Sequence, residues 1–357
     1  MVITKRVKLY FPTQEMESLF KNRADKVTKC VNYWIDVIRS KESTKLKDLQ
    51  GKPYFKARND FNLDSNTTQL AEYFAIRMVR RGKKRRMDSP YLSKNLLLVK
   101  SLKIIDSKIG FLVGDKKRYW VRFSGEELPK GILRESIVKK RNKEWFCHLL
   151  FKIELPKEKK YKRCLGVDLG IAKTAVIADW NGNNTRFFNG EPYRFKKNHY
   201  YQLRKKLQSK IKQGNVYKLL KRISEKEANW VKNENHRISK EIVQMAVKNK
   251  RNIALEKLTG ITGRLKVNRK TRKMLKGWSF SQLDTFIEYK AKLAGIKVVY
   301  VDPRETSKTC PKCRYSSRSN RRTQSVFKCR KCGYESNADR VGAMNIALRG
   351  TELLASQ

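Results

Sequence analysis

Cys310-Pro-Lys-Cys313 and Cys329-Arg-Lys-Cys332 are two C-x2-C pairs with 15 residues, 314–328, between them. Each pair suits a tight knuckle that aims two sulfurs at one tetrahedral ion. A spacer of this length suits the β-hairpin of a zinc ribbon. Gly333 follows the second pair and can relax its knuckle, whereas Arg314 stands at the equivalent place after the first. Four thiolates close the coordination sphere, so the expected zinc is structural and leaves no position open to a substrate. The alternative, four buried thiols without metal, fits poorly because the connecting residues are too polar to bury. Cys30, Cys147 and Cys164 have no such spacing and read as core positions.

Three carboxylates form a second candidate set. Asp168 lies in the apolar run CLGVDLG and Glu256 near the end of NIALEKL, where an unpaired carboxylate is costly to bury. Asp339 opens the last helix, where its simplest role is to favour the helix dipole, worth ~0.3–1 kcal/mol. Each alone has a bland reading of this kind. Converging on one sheet, the three can hold two divalent cations ~3.5–4 Å apart, a clamp for the attacking and leaving oxygens of a phosphodiester. Hard oxygen ligands suit Mg²⁺, which keeps bound waters, one of them available as a nucleophile. None of the three histidines, His148, His199 and His236, lies in these motifs, in keeping with a metal-activated water in place of a histidine base.

The elements that must position these residues show in the apolar spacing. The run VITKRVKL predicts a first strand over 2–9, after which Thr13 can cap a helix. Met16, Leu19, Phe20, Ala24, Val27, Val31, Trp34, Ile35 and Ile38 recur at helical spacing up to about Arg39. A second helix is expected from Thr68 to Arg81, with Leu70, Tyr73, Phe74 and Met78 facing inward. From about Leu96 to Glu154 the runs LKIID, GFLVG, RYWVRF and EWFCHLLFKI read as strands of a small barrel that the first strand can join. CLGVDLG, TAVIADW and TRFFN then form a three-strand meander. A basic helical stretch (194–228), an amphipathic helix with Trp230, Ile238, Ile242 and Met245, and the strand NIALEKL (252–258) follow. A helix Phe280–Leu293, the strand IKVVYVD, the cysteine segment and a helix Ala338–Leu348 complete the pattern. A three-strand meander with the first acid on its first strand is also the order of ribonuclease H-like nucleases.

Lys plus Arg number 84 against 33 Asp plus Glu, a net charge of +51. Runs such as Arg80-Arg81-Gly82-Lys83-Lys84-Arg85-Arg86 and Lys139-Lys140-Arg141 spread it along the chain. One such run is ordinarily a solvated face, but an excess of this size repels itself unless a polyanion neutralises it, which points to nucleic acid. The opening Met1-Val2-Ile3-Thr4-Lys5-Arg6 lacks a signal-peptide core, and no apolar run approaches the ~20 residues of a membrane span. No membrane partner is therefore expected, and seven cysteines without an export signal suit a reducing compartment.

The segments GVDLGIAKTAVIADWNG, NIALEKLTGI, GWSFSQLDTFIEYKAKLAGIKVVYVDPRETSKTCPKC and CRKCGYESNADRVGAMNIA resemble, in order, the C-terminal half of the TnpB (transposon OrfB) family. VKLYFPTQEMESLF resembles that family's opening segment; the likeness is strong over about 161–350, weaker over 1–40 and diffuse over 41–160. The family is a transposon-encoded relative of compact type V CRISPR effectors. The resemblance implies an α/β plus β-barrel fold: a ribonuclease H-like (RuvC) nuclease domain with an inserted zinc ribbon, preceded by a wedge-type β-barrel that a helical recognition segment interrupts. The implied boundaries are 1–10 and 94–160 for the barrel, 11–93 for the recognition lobe, 161–304 and 336–350 for the nuclease, 305–335 for the ribbon, and 351–357 for a tail.

It also implies that Asp168, Glu256 and Asp339 are the catalytic, magnesium-binding acids, and that Cys310, Cys313, Cys329 and Cys332 bind zinc. The implied partners are a guide RNA from the transposon end, bound one to one by a monomer, and double-stranded target DNA, in a prokaryotic cytoplasm at the nucleoid. The activity implied is RNA-guided, Mg²⁺-dependent cleavage of that DNA beside a short adjacent motif. Thr68, Gln69, Tyr73 and Arg77 are the candidates for reading the motif, being placed to reach a groove. Rival readings are a nuclease-inactive regulator, which would be marked by loss of one acid, a guide-independent transposase or nuclease, and a basic zinc-ribbon RNA-binding protein. The last leaves three buried acids unexplained.

Overall fold

The computed structural model describes residues 1–84, 91–92, 95–113, 117–124, 127–141, 143–209, 216–257 and 279–356. Arg85 and Arg86 of the basic run, residues 210–215 of the basic stretch, Leu258 of NIALEKL and Gln357 lie outside them. The chain divides into two units, Met1–Glu154 and Leu155–Gln357.

The first unit opens with β1 (Val2–Tyr10) and α1 (Gln14–Ser40). Thr13 caps α1 as expected, its hydroxyl accepting the Met16 N–H at 3.2 Å. The apolar stripe of α1 is the core: Phe20, Ala24, Val27, Val31, Trp34 and Ile35 are fully buried. Two short helices, α2 (Leu46–Leu49) and α3 (Lys52–Asp60), follow; their polar sequences carry no apolar period to reveal them. α4 (Ser65–Lys84) begins ahead of Thr68 because Asp64 caps it, accepting the Thr67 N–H at 2.9 Å while pairing with Arg23. Leu70 faces inward, but Tyr73 is 43 % exposed, which corrects its expected place in the core.

β2 (Leu96–Val99), β3 (Lys103–Ile105), β4 (Lys108–Leu112), β5 (Arg118–Phe123), β6 (Ile132–Leu133), β7 (Ser136–Arg141) and β8 (Glu144–Lys152) join β1 in one antiparallel sheet. The order is β2-β7-β8-β1-β5-β4-β3, with β6 also on β8. The first strand does join the later ones, from Val2↔Lys152 to Leu9↔Trp145. β2 and β7 escaped the strand pattern. The run LLLV is buried at every position and so does not alternate, and SIVKKR ends in three cations that read as a basic run.

In the second unit β9 (Cys164–Asp168), β10 (Lys173–Ala178) and β11 (Arg186–Asn189) form the expected meander. α5 (Glu191–Gln208), α6 (Val216–Lys248), β12 (Asn252–Glu256), α7 (Phe280–Leu293) and β13 (Val298–Val301) follow. The basic stretch and the amphipathic helix do not divide near 228: α6 runs through that point, its composition changing while its backbone continues. The hairpin β14 (Val326–Lys328) and β15 (Glu335–Asn337) leads into α8 (Ala338–Ala355). α8 passes the expected end at Leu348 and takes in most of the expected tail. Gly350 does not stop it, because the missing side chain lets the helix approach Ala254; a Cβ there would lie 2.4 Å from that side chain.

The sheet order is β11-β10-β9-β12-β13, with β12 parallel to both β9 and β13 and the meander antiparallel. Strand alternation sorts β9 and β12 into two faces. Leu165, Val167, Ile253 and Leu255 pack with Ile238 and Ile242 of α6 and Leu283 and Ile287 of α7. Gly166 and Ala254 therefore point to the other face, against α8. No helix among the described residues is long and apolar enough to cross a membrane.

Candidate functional site

The same alternation places two of the candidate acids. Asp168 follows Gly166 by two residues and Glu256 follows Ala254 by two, so both carboxylates project on the α8 face at the C-terminal ends of neighbouring parallel strands. Leu255 pairs with Val167, which sets Glu256 beside Asp168. Asp339 comes from α8 itself. Asn337 caps that helix, its side-chain oxygen accepting the Asp339 and Arg340 N–H groups at 3.0 and 3.2 Å. Gly342, one turn further on, lies so close that a Cβ would meet Asp168 Oδ2 at 2.8 Å. Three acids far apart in sequence are thus gathered at one end of one sheet face.

Their electrostatics mark the gathering. Burial, reinforced by the charges of Glu256 and Asp339, pushes the Asp168 carboxyl up to about 8. Glu256 is also raised by burial, against the opposing pull of its hydrogen bond from the Thr306 hydroxyl, 2.7 Å from Oε1, and of the Arg349 charge. Asp339 is raised by burial and restrained by Arg321, whose guanidinium lies 3.4 Å from Oδ1, and by Lys173. Asp168 is the member that feels both neighbours. Oxygen donors whose anionic forms are disfavoured until a cation arrives suit a hard divalent ion, so the residues present fit Mg²⁺.

The four cysteines converge more tightly. Among the described residues they alone bring three or more ligand atoms within 4.8 Å of one another. Cys310 and Cys332 sulfurs are 3.6 Å apart, and Cys313 and Cys329 sulfurs 3.5 Å. A tetrahedron with Zn–S bonds of ~2.3 Å has edges close to this, so the donor set fits zinc. The knuckles repeat each other: Arg314 N–H donates to Cys310 O at 2.9 Å and Gly333 N–H to Cys329 O at 3.1 Å. Burial pushes the Cys329 thiol up, but the Lys331 and Cys332 amides and the neighbouring thiols outweigh it and bring it to about 7. That favours the thiolate a metal needs. Cys30, Cys147 and Cys164 are buried in the cores, as expected.

Of the four candidates for reading DNA, Gln69, Tyr73 and Arg77 share an exposed face of α4 at successive i+4 steps. Thr68 does not join them. It is fully buried, and its hydroxyl donates to Asp64 O at 3.0 Å, so its role is local to the helix start. The residues that sequence reasoning missed are Thr306 and Arg321, which contact Glu256 and Asp339, and Arg349, whose charge acts on Glu256 while its guanidinium donates to Asp302 O and Arg304 O. Only Thr306 had a visible signal, its place between the strand IKVVYVD and the first cysteine pair.

Known proteins resemble the chain in sequence and in fold. Residues 138–260 match the OrfB_IS605 family, described as a probable transposase, and residues 280–346 match the Cas12f1-like TNB domain. The CRISPR-associated endodeoxyribonuclease Cas12f1 of Sulfoacidibacillus thermotolerans is 30 % identical over 239 residues, 61 % of this chain and 53 % of that protein. The chain thus spans about half the length of that relative. The TnpB-like protein MJ0751 of Methanocaldococcus jannaschii is 34 % identical over 196 residues, 53 % of this chain and 69 % of that protein. The Cas12f1 in a solved complex with sgRNA and target DNA shares the fold: the TM-score is 0.63 at 18 % identity, over 94 % of this chain and 83 % of that one. A mixed α/β chain with this sheet order, a four-cysteine knuckle and a relative matched over two thirds of its length belongs to the TnpB (transposon OrfB) family.

Proposed function

We propose that this protein is an RNA-guided DNA endonuclease that cuts double-stranded DNA beside a short adjacent motif. The observation that carries the reading is the gathering of Asp168, Glu256 and Asp339 on the α8 face, with Asp168 pushed up by burial and then by both of the others. The charge of +51 supports polyanionic partners, and the shared fold with a nuclease held on guide RNA and target DNA supports which ones. The guide is expected to be an RNA from the transposon end, held one to one by a monomer. Base pairing reads the target, while the protein reads only the adjacent motif, for which Gln69, Tyr73 and Arg77 remain the candidates.

Divalent cations held by Asp168, Glu256 and Asp339 would polarise the scissile phosphate and lower the pKa of a bound water. The chain itself supplies their placement. Asp168, on which the charges of both other acids act, would be the residue that serves both ions. The Thr306 hydroxyl orients Glu256, and the Asn337 cap fixes the turn that carries Asp339. Residues 161–304 and 336–350 make the RuvC nuclease in this reading, with 305–335 as its zinc ribbon. The eight-stranded sheet would be the wedge-type barrel (1–10 and 94–160), and 11–93 the recognition lobe.

Asp168→Ala tests the proposal in protein purified with its RNA. Cleavage of a matched target should be abolished while the same RNA still co-purifies. Cutting at the unsubstituted rate would remove the nuclease assignment, and cutting without any RNA would favour a guide-independent enzyme. Sequencing the co-purified RNA identifies the guide.

A further inference from the structure

Glu256 is held by a residue outside its own strand. The Thr306 hydroxyl sits 2.7 Å from Glu256 Oε1 and 3.0 Å from Pro303 O, so its single proton has the carboxylate as the nearer acceptor. Thr306 is only 4 % exposed. Its backbone is held in turn from α8, where the buried Asn345 donates both side-chain N–H groups, to Thr306 O and to Thr309 O, each at 2.7 Å. Asn345 Oδ1 is left buried with no hydrogen-bond partner. An orphaned buried acceptor is costly, and the two N–H bonds that the same amide makes hold the 306–309 turn.

That turn runs straight into the zinc knuckle. Cys310 is the next residue, its N–H donating to Tyr315 O at 2.9 Å, and the Thr309 and Ser316 hydroxyls are 3.2 Å apart. The contacts therefore form one path: knuckle, Thr309, Asn345, Thr306, Glu256. The covalent path from the second cysteine pair leads through β15 to Asp339, so the ribbon is tied to two of the three carboxylates by separate routes.

We propose that Thr306, locked by Asn345, is a positioning residue for Glu256, through which zinc in the four-cysteine knuckle sets the capacity of the carboxylates to hold a divalent cation. This rests on the nuclease reading above. The hydroxyl fixes one carboxylate oxygen and so aims the other. Partners of this kind, one step removed from a metal, are worth ~10–100-fold in metal affinity.

The whole chain, loaded with zinc, is titrated with Mn²⁺ and binding is read as thermal stabilisation, with Glu256→Gln at equal RNA content defining the carboxylate contribution. Thr306→Val keeps the side-chain shape and removes the hydroxyl; Thr306→Ala, a second variant without it, is read the same way. Measured against each variant's own metal-free melting, both should need about 10-fold more Mn²⁺ with zinc content unchanged, whereas Thr306→Ser stays close to the unsubstituted protein. Cys329→Ser, lacking zinc, should need a similar increase, and combining it with Thr306→Val should add nothing. An unchanged Mn²⁺ requirement in both hydroxyl-free variants overturns the positioning role, and additive effects in the double variant overturn the link to zinc. If Glu256→Gln itself binds Mn²⁺ like the unsubstituted protein, the carboxylate site falls, and the positioning role with it.

Discussion

Arg314 adopts in the first cysteine knuckle the left-handed backbone that Gly333 adopts in the second, with φ of 62° and 73°. Both follow the second cysteine of a C-x2-C pair, and both donate their N–H back to the first. The conformation is free for glycine and costs an L-residue ~1–2 kcal/mol, so the first knuckle carries strain that the second does not.

Arg314→Gly should therefore stabilise the zinc-loaded protein by about 0.5–1 kcal/mol, once the exposed Arg314–Glu352 ion pair, worth ~0–1 kcal/mol, is subtracted. Gly333→Ala should cost about 1 kcal/mol from backbone strain alone, because nothing lies within 4 Å of the added methyl. Thermal melting at fixed zinc measures both; equal and opposite signs at the two positions are the outcome to look for.

The carboxylate site should make stability depend on pH. In the folded protein Asp168 keeps its proton up to about 8, whereas the unfolded chain releases it near ~3.9. A raised acid contributes stability that is full below the unfolded value and is lost as pH climbs through the folded one. Without added divalent cation, stability should fall between about pH 4 and pH 8, by on the order of 5 kcal/mol, about four pH units at ~1.4 kcal/mol each. Asp168→Asn should flatten most of that fall and be the more stable protein at pH 8, although unable to cut. Added Mg²⁺ should restore stability increasingly as pH rises, since the cation needs the anion. A flat profile in the unsubstituted protein would show that Asp168 is not buried among like charges.

Much of this was legible in the sequence, and the failures have physical causes. The cysteine pairs needed only their spacing. Asp168 and Glu256 showed themselves as acids in apolar strands; that they share one face came from the pairing of Leu255 with Val167 and the α8 contacts of Gly166. Thr306 had only its place before the first cysteine pair to mark it, and Arg321 and Arg349 had no mark, because all three act on their carboxylates through tertiary packing that no local period encodes. α4 begins ahead of the expected Thr68 because Asp64 caps it, and Thr68, counted among the candidates able to reach a groove, is buried in its first turn.

On α4 the corrected exposure separates two kinds of variant. Thr68→Ala should cost about 1 kcal/mol of stability, through its lost bond to Asp64 O, with no change in the preferred adjacent motif. Tyr73→Ala and Gln69→Ala alter exposed side chains, so stability should move by less than about 0.5 kcal/mol while the motif preference changes. Cleavage of a library randomised beside the target measures both effects. A motif shift from Thr68 with none from its exposed neighbours would contradict the assignment of this face.

Gly166 is the position at which fold and site meet most closely. It lies on β9 two residues before Asp168, and its absent side chain lets α8 rest on the strand backbone. A Cβ there would lie 1.9 Å from Ala343 O and 2.5 Å from Ala347 N. Those atoms are helix backbone and cannot swing away as a side chain does, so Gly166→Ala must lift α8 from the sheet. Overpacking of a core costs ~1–3 kcal/mol when side chains can adjust, and the cost here should be at least about 3 kcal/mol. The lift also carries Asp339 away from Asp168, so cleavage should fall further than stability explains. Activity at a temperature well below the lowered melting point separates the two effects. Full cutting by folded Gly166→Ala protein would mean that the distance between β9 and α8 does not set the site.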